Sequence, residues 1–519
     1  MGGQPLFVLS EDSQRTSGKD AQSSNITAGK AVAESVRTTL GPRGMDKMLV
    51  SDSGDVVITN DGATILEEMD IEHPAAQMIV EVAETQEDEV GDGTTTAAVL
   101  SGQLLAEAED LLEQDVHPTT IVEGYSAAAD IARDAVDEMV LDGDVDDDLL
   151  RSVAESSMTG KGTGGVTADV LAETVVDAVK HVRDAEGAGR DSIQVQTQTG
   201  ASSTATDLVE GIIVDTYAED DEMPRSQEDA TVAVLDTALE VGAGEFDAEY
   251  NVESYDQLNA AMESEEQKLR GYVDSLVDAG VDFVFSTESI DDRVASFMAR
   301  EDILGFDNVD DDDARRVAKA TGSSRVGTLE DLSEDDLGYA ERTYLETYDD
   351  QDYVFVEGGA AAEAVTVFVR GGTEHVTDEL ERTIGDALDV VSLAADSGEV
   401  VPGAGATEIA ISAAVREEAA AVEGRKQLAV EAFADAVDSI PRTLAENVGM
   451  DPIDALVDLR ARHDSEGRGG IVVAGETGAV EDPLEEGVID PAGVKREAIE
   501  SATEAATMIT RIDDVISAE

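Results

Sequence analysis

The chain contains no cysteine and no tryptophan, and only 3% of its 519 residues are aromatic. The missing cysteine excludes disulfides, thiolate metal sites and a cysteine nucleophile. Five histidines are scattered without HExxH or paired spacing, which argues against a zinc enzyme. No apolar run approaches the length of a spanning helix, so nothing is expected to cross a membrane. The N-terminal stretch lacks a basic segment and an apolar core, so no signal peptide is expected, and the expected location is cytoplasmic.

Positive charge is scarce. There are 34 Lys plus Arg against 117 Asp plus Glu, a net charge of −83, and nine of the 34 cations are lysines. Such a chain repels phosphate backbones and anionic lipid, so neither nucleic acid nor membrane is an expected partner. High charge also suggests disorder, but 41% of residues are apolar, which is enough for a core. An acidic, lysine-poor, aromatic-poor composition suits a cytoplasm of molar salt, where the Debye length is about 3 Å and like charges barely interact. The length suggests three or four domain-sized units.

Apolar spacing predicts helices over residues 25–39, 63–69, 119–141, 254–277 and 373–393, with helical texture again from 408 to 462. In the stretch after residue 96, apolar positions 97, 100, 104, 105, 108, 111 and 112 keep a 3.6-residue period. Short β-rich runs at 230–235, 283–286 and 353–357 mark an α/β insert between helical ends. That pattern predicts nested domains, with an acidic linker at 142–148 as one boundary.

No GxxxxGK[ST] phosphate loop is present. Residues 160–165 satisfy GxGxxG literally, but follow a polar stretch and not a strand, so they read as a loop. Residues 91–96, GDGTTT, are more informative. Two glycines allow close backbone approach, and three hydroxyls with free N–H groups gather at a helix start, which suits phosphate. Asp92 is suited to Mg²⁺, which takes one or two carboxylates plus phosphate oxygens and water. An ordinary helix cap would look similar. Three further Gly-rich turns, at 39–48, 60–64 and 400–406, complete a nucleotide pocket only if the fold brings them together.

The segments TTLGPRGMDKML (38–49), NDGATIL (60–66), GDGTTTAAVL (91–100) and VVPGAGA (400–406) closely resemble the nucleotide-site segments of chaperonins, best the group II branch of archaeal thermosomes and the eukaryotic cytosolic chaperonin. QRTSGKDAQ, SMTGKG, FVRGGTEH, AFADAVDSIPRTLAENVGMDP and RIDDVI extend the resemblance over nearly the whole chain, and taken with the acidic composition the resemblance implies a salt-adapted, halophilic archaeal type. The resemblance implies a multidomain α and α/β chaperonin fold. Its equatorial helical domain would comprise residues 1–146 and 400–519, a split intermediate domain 147–213 and 366–399, and an inserted α/β apical domain 214–365. A helical protrusion is expected near 247–267, with Leu258 and Met262 offered to clients.

The implied activity is ATP hydrolysis driving closure of a double-ring chamber, eight subunits per ring, around unfolded client proteins. The rings would contain this chain alone or with paralogous subunits. Asp61 and Asp386 match the catalytic aspartates. Leu40, Gly41 and Pro42 should line the nucleotide, Asp92 should hold Mg²⁺, and Gly93, Thr94, Thr95 and Thr96 should surround the phosphates. Lys161 matches a loop that senses the γ-phosphate. Gly403 and Gly405 should let the backbone pass near base and ribose, and Asp490 should accept from ribose hydroxyls. K⁺ is a further candidate ion. The family's GGG reads Gly403-Ala404-Gly405 here, so a left-handed backbone at 404 would be strained by about 1 kcal/mol. That departure motivates an alternative, a degenerate paralogue with weak ATPase serving as a structural or client-binding subunit.

Overall fold

The computed structural model describes residues 14–51, 53–162, 165–183, 189–220, 222–241, 255–348, 351–359 and 364–517. The chain forms two compact units, one from residues 1–176 and 378–519, the other from residues 177–377. It passes between them within the helices Ala168–Arg183 and Glu374–Ser397.

The first unit is a helical bundle with short two-stranded sheets. Its core helices are Lys19–Val36, Pro74–Val90, Thr94–Glu113, Pro118–Met139, Lys426–Val437 and Ala492–Arg511. The predicted stripe is inside: Ala97, Leu100, Leu104, Leu105, Ala108 and Leu111 are buried, and Leu112 is partly so. Small residues explain how a core so poor in rings is filled. A methyl at Gly102 would sit 2.3 Å from Ala33 Cβ, and one at Gly124 2.3 Å from Ala429 Cβ, so these helices touch almost backbone to backbone. Tyr125 packs edge-on against Phe433, 6.0 Å between centroids, with its hydroxyl donating to the Leu104 carbonyl (2.8 Å).

Local chemistry ends these helices where the site needs them. His73-Pro74 and Asp451-Pro452 start helices with a side-chain cap followed by a proline whose missing N–H costs nothing there. The helix Pro74–Val90 stops at Gly91 in a left-handed conformation (φ 68°), and Gly93 (φ 84°) opens the next. The Lys19–Val36 helix begins ahead of the apolar stripe that predicted it, because its first turns are polar and carry no periodic signal.

The second unit holds a nine-stranded mixed sheet. Ser226–Leu235, Phe283–Ser286 and Leu304–Phe306 run parallel, connected through helices Tyr255–Ala279 and Asp292–Arg300. The long antiparallel pair Gly338–Tyr348 and Gln351–Gly359 extends the sheet towards Asp207–Asp215 and Val365–Gly371. Residues 247–254 of the expected protrusion lie outside the described residues, as does the side chain of Leu258. Met262, on the helix Tyr255–Ala279, is exposed. Among the described residues, no helix is long and apolar enough to cross a membrane.

Candidate nucleotide site

Four Gly-rich turns from distant parts of the chain meet at one cavity of about 400 Å³ in the first unit. Twelve of the fourteen residues singled out from sequence line it. Asp386 and Gly403 do not, and each instead supports a residue that does.

The first turn follows the 3₁₀ segment Arg37–Thr39. Leu40, Gly41 and Pro42 face the cavity. Gly41 has φ 87°, and a Cβ there would lie 2.4 Å from Leu444 Cδ2, so both backbone and space demand glycine. Asn447 Nδ2 holds this turn by donating to the carbonyls of Leu40 (2.8 Å) and Arg37 (3.2 Å).

The second turn presents Asp61 as the cap of the Gly62–Glu67 helix. Its Oδ2 accepts from the Thr64 amide (2.7 Å) and its Oδ1 from the Thr94 hydroxyl (3.2 Å). Asn60 donates to the Gly160 carbonyl (2.6 Å) and to Asp46 Oδ1 (3.1 Å), which fastens the 160–161 turn beside Asp61.

The third is the start of the Thr94–Glu113 helix. The first intrahelical bond runs from the Ala97 amide to the Gly93 carbonyl, so the amides of Thr94, Thr95 and Thr96 have no helical acceptor. They line the cavity together with Asp92 and Gly93. This is an anion-binding arrangement, with N–H groups and the positive end of the helix dipole. The Asp92 carboxylate is oriented by the Gly93 amide (2.7 Å), and the Asp92 carbonyl accepts from the buried Gln86 side chain (2.8 Å).

The fourth, residues 400–406, pairs through Val400–Pro402 with Ile489–Pro491. Gly405 (φ 84°) opens the Ala406–Ala419 helix. Ala404 has φ 57°, so the extra methyl of the Gly-Ala-Gly run sits in left-handed backbone. A Cβ on Gly403 would come within 3.0 Å of Asp490 Oδ2, so this glycine makes room for the carboxylate.

Charge at the cavity is organised around two largely buried lysines. Lys161 pairs with Asp386 of the Glu374–Ser397 helix. Burial alone would lower the Lys161 pKa, but Asp386, Asp92 and Asp61 outweigh it and hold the group above the usual lysine range. Burial pushes the Asp386 carboxyl up to about 6, Lys161 opposes and Asp61 adds to the rise. Lys495 bridges Glu408 (2.8 Å) and Asp490 (2.7 Å). Glu87, on the helix Pro74–Val90, is pushed up to about 9 by burial and then by Asp386 and Asp61, and its Oε2 is buried without a partner.

Asn60 lies in the turn at 60–64 that the sequence singles out, and Asn447 in a segment that carries the family resemblance, whereas Gln86, Glu87, Glu408 and Lys495 stand outside every motif it singles out. The scarcity of lysine that draws attention to Lys161 applies equally to Lys495 and was the available signal.

The TCP-1/cpn60 chaperonin family matches residues 32–519 of this chain. The chain belongs to that family. It is 66% identical over 518 residues to thermosome subunit 3 of Haloferax volcanii, covering 99% of each chain. It is 53% identical over 522 residues to thermosome subunit alpha of Halobacterium salinarum, covering 100% of this chain and 92% of the relative. Against the thermosome subunit of Methanopyrus kandleri the figures are 50% over 524 residues, 99% and 95%. This family member is an ATP-hydrolysing, ATP-dependent chaperone subunit of the group II kind, and nothing favours the degenerate alternative.

Proposed function

We propose that the 400 Å³ cavity is the ATPase site, with the triphosphate over the amides of Thr94, Thr95 and Thr96. The observation carrying this reading is that a helix N-terminus with three amides lacking helical acceptors, the aspartates Asp61 and Asp92 and the Asp386-paired Lys161 face one another across it. Asp61 and Asp386 act as the groups that orient the attacking water and take its proton. Lys161 meets the charge of the terminal phosphate, and its pairing with Asp386 couples phosphate sensing to the base. Leu40, Gly41 and Pro42 shape one wall, Asp490 accepts from the sugar, and the backbone at Ala404 and Gly405 passes beside base and ribose, with Gly403 backing Asp490.

The donor set fits Mg²⁺. Asp92 supplies a carboxylate, and among the described residues no group of three or more His, Cys, Asp or Glu that could hold a metal ion exists, so phosphate oxygens and water would complete the shell. Bound there, Mg²⁺ would neutralise phosphate charge. K⁺ is carried as a second candidate ion, tested by exchanging KCl for NaCl.

In this reading residues 1–146 and 400–519 are equatorial, 147–213 and 366–399 intermediate, and 214–365 apical, with Met262 among the apolar residues offered to clients. The subunits form two eight-membered cytoplasmic rings, alone or with paralogues; Haloferax volcanii itself has thermosome subunits 1 and 3 among the relatives. Native mass and ATP turnover in 2–3 M KCl test the reading together. Each chain weighs 54.4 kDa, so a double ring should have sixteen times that mass. A monomer that turns over no ATP would overturn it.

A further inference from the structure

Lys495 lies in the first turn of the Ala492–Arg511 helix, and its ammonium is shared between two carboxylates that line the same cavity. The two contacts, 2.8 Å to Glu408 Oε1 and 2.7 Å to Asp490 Oδ2, hold those oxygens on either side of one nitrogen. Little of either the lysine or the glutamate reaches water, with side chains 13% and 6% exposed. Glu408 Oε2 is buried with no partner, so this carboxylate gives up half its accepting capacity to hold a cation here. A Cβ on Gly403 would come within 3.0 Å of Asp490 Oδ2, so the glycine leaves just the room this oxygen occupies. The Asp490 carboxylate is thus boxed, with Oδ2 committed and Oδ1 left for a ligand.

We propose that Lys495, itself held by Glu408, is a positioning residue for sugar recognition: it fixes the Asp490 carboxylate so that one defined oxygen accepts from a ribose hydroxyl. This rests on the assignment of Asp490 to the ribose. A carboxylate free to rotate would accept a hydroxyl or water almost equally, whereas a pinned one loses a bond when the hydroxyl is missing. A site built to bind a substrate hydroxyl discriminates against the analogue without it.

The test is equilibrium binding of ATP, 2′-deoxyATP and 3′-deoxyATP in 3 M KCl with Mg²⁺. The wild-type chain should prefer ATP over at least one deoxy analogue by roughly tenfold, the size of one charge-assisted hydrogen bond. Asp490→Ala should bring that ratio near one. Lys495→Met should lower it at least threefold, while a merely structural role would weaken all three nucleotides alike and leave the ratio intact. Glu408→Ala, which frees Lys495 without removing it, should lower the ratio too and serves if Lys495→Met does not fold. A ratio that collapses in Asp490→Ala but survives Lys495→Met or Glu408→Ala overturns this inference alone. A ratio unmoved by Asp490→Ala, or absent in the wild type, overturns the ribose assignment and this inference with it.

Discussion

Replacing Asp386 separates what the Lys161–Asp386 pair does for stability from what it does for chemistry. Asp386 is 7% exposed and lies outside the cavity lining, yet it engages Lys161, which lies inside. In Asp386→Ala the lysine stays largely out of water without its partner. Removing one partner of a buried pair commonly costs about 3–5 kcal/mol. Asp92 and Asp61 also act on this ammonium, so a loss at or below the lower end of that range is expected. Loss of a general base lowers turnover by roughly 10²–10⁴. Nucleotide binding moves the other way: one negative charge beside the phosphates is gone and Lys161 is released towards them, so Kd for ATP should hold or tighten.

The assay is single-turnover hydrolysis beside equilibrium ATP binding and a thermal melt, all in 3 M KCl. The pH dependence supplies an independent check. A base works deprotonated, and burial places Asp386 at about 6, so kcat/KM of the wild type should fall below that pH. Lys161→Met removes the group that opposes the rise, and the acid limb should move to higher pH. Turnover within tenfold of wild type in Asp386→Ala would refute the catalytic assignment. Loss of ATP binding in step with turnover would refute it equally, because Asp386 would then be building the pocket.

Three other outcomes are expected. Gly470→Ala should destabilise by about 1–3 kcal/mol, because its methyl would meet Ala404 Cβ at 2.8 Å; Ala404→Gly removes that clash and the left-handed strain, so melts of the two singles and the double should show a coupling of about 1 kcal/mol, and strict additivity would count against the geometry. Glu87 keeps its proton in the folded chain up to about pH 9 but sheds it above about 4.5 when unfolded, so stability drains away as pH rises between those values, by at most about 1.4 kcal/mol per unit. Glu87→Gln should therefore melt like the wild type near pH 4.5 and above it near pH 8; a constant difference would contradict the burial of this carboxyl. The net charge of −83 should make the melting temperature fall between 3 M and 0.1 M KCl, and an unchanged value would sink the salt-adaptation argument.

What could be read from sequence was what is local. Apolar period gave the helix Thr94–Glu113 because its buried residues recur every turn, and Gly91 and Gly93 marked its start because their left-handed backbone has few other occupants. The four turns were legible one by one, but their convergence was not, since periodicity carries no long-range distance; the family resemblance supplied it. The side chains that fasten the turns escaped for the same reason. Asn447 reaches the Leu40 carbonyl across 407 residues, and Gln86 the Val494 carbonyl across 408. On its own helix each reads as an ordinary polar face. Glu408 looks like the acid that favours any helix first turn. Lys495 carries the one general signal, the scarcity of lysine, and shares it with eight others, so it does not single this residue out.

The two lysines also revise what the acidity means for the site. Near the Thr94–Thr96 amides stand Asp61, Asp92 and Asp386 with Lys161 as the facing cation, while Glu87 holds its proton. With Asp386 ionised, that region carries two net negative charges before a triphosphate arrives. A phosphate loop built around lysine can bind nucleotide on protein charge alone; this one cannot, because helix N–H groups offset only about half a charge. Cations must enter with the phosphates. Screening by molar salt does not substitute for them, since salt acts on exposed charges and much less on buried ones. ATP affinity should therefore fall at least tenfold when divalent ions are chelated at constant 3 M KCl, and the loss should be smaller in Asp92→Asn, which removes one of the opposing charges along with the proposed Mg²⁺ ligand. Equal affinity with and without chelator would show that the local charge count, and with it the assignment of Asp92, is wrong.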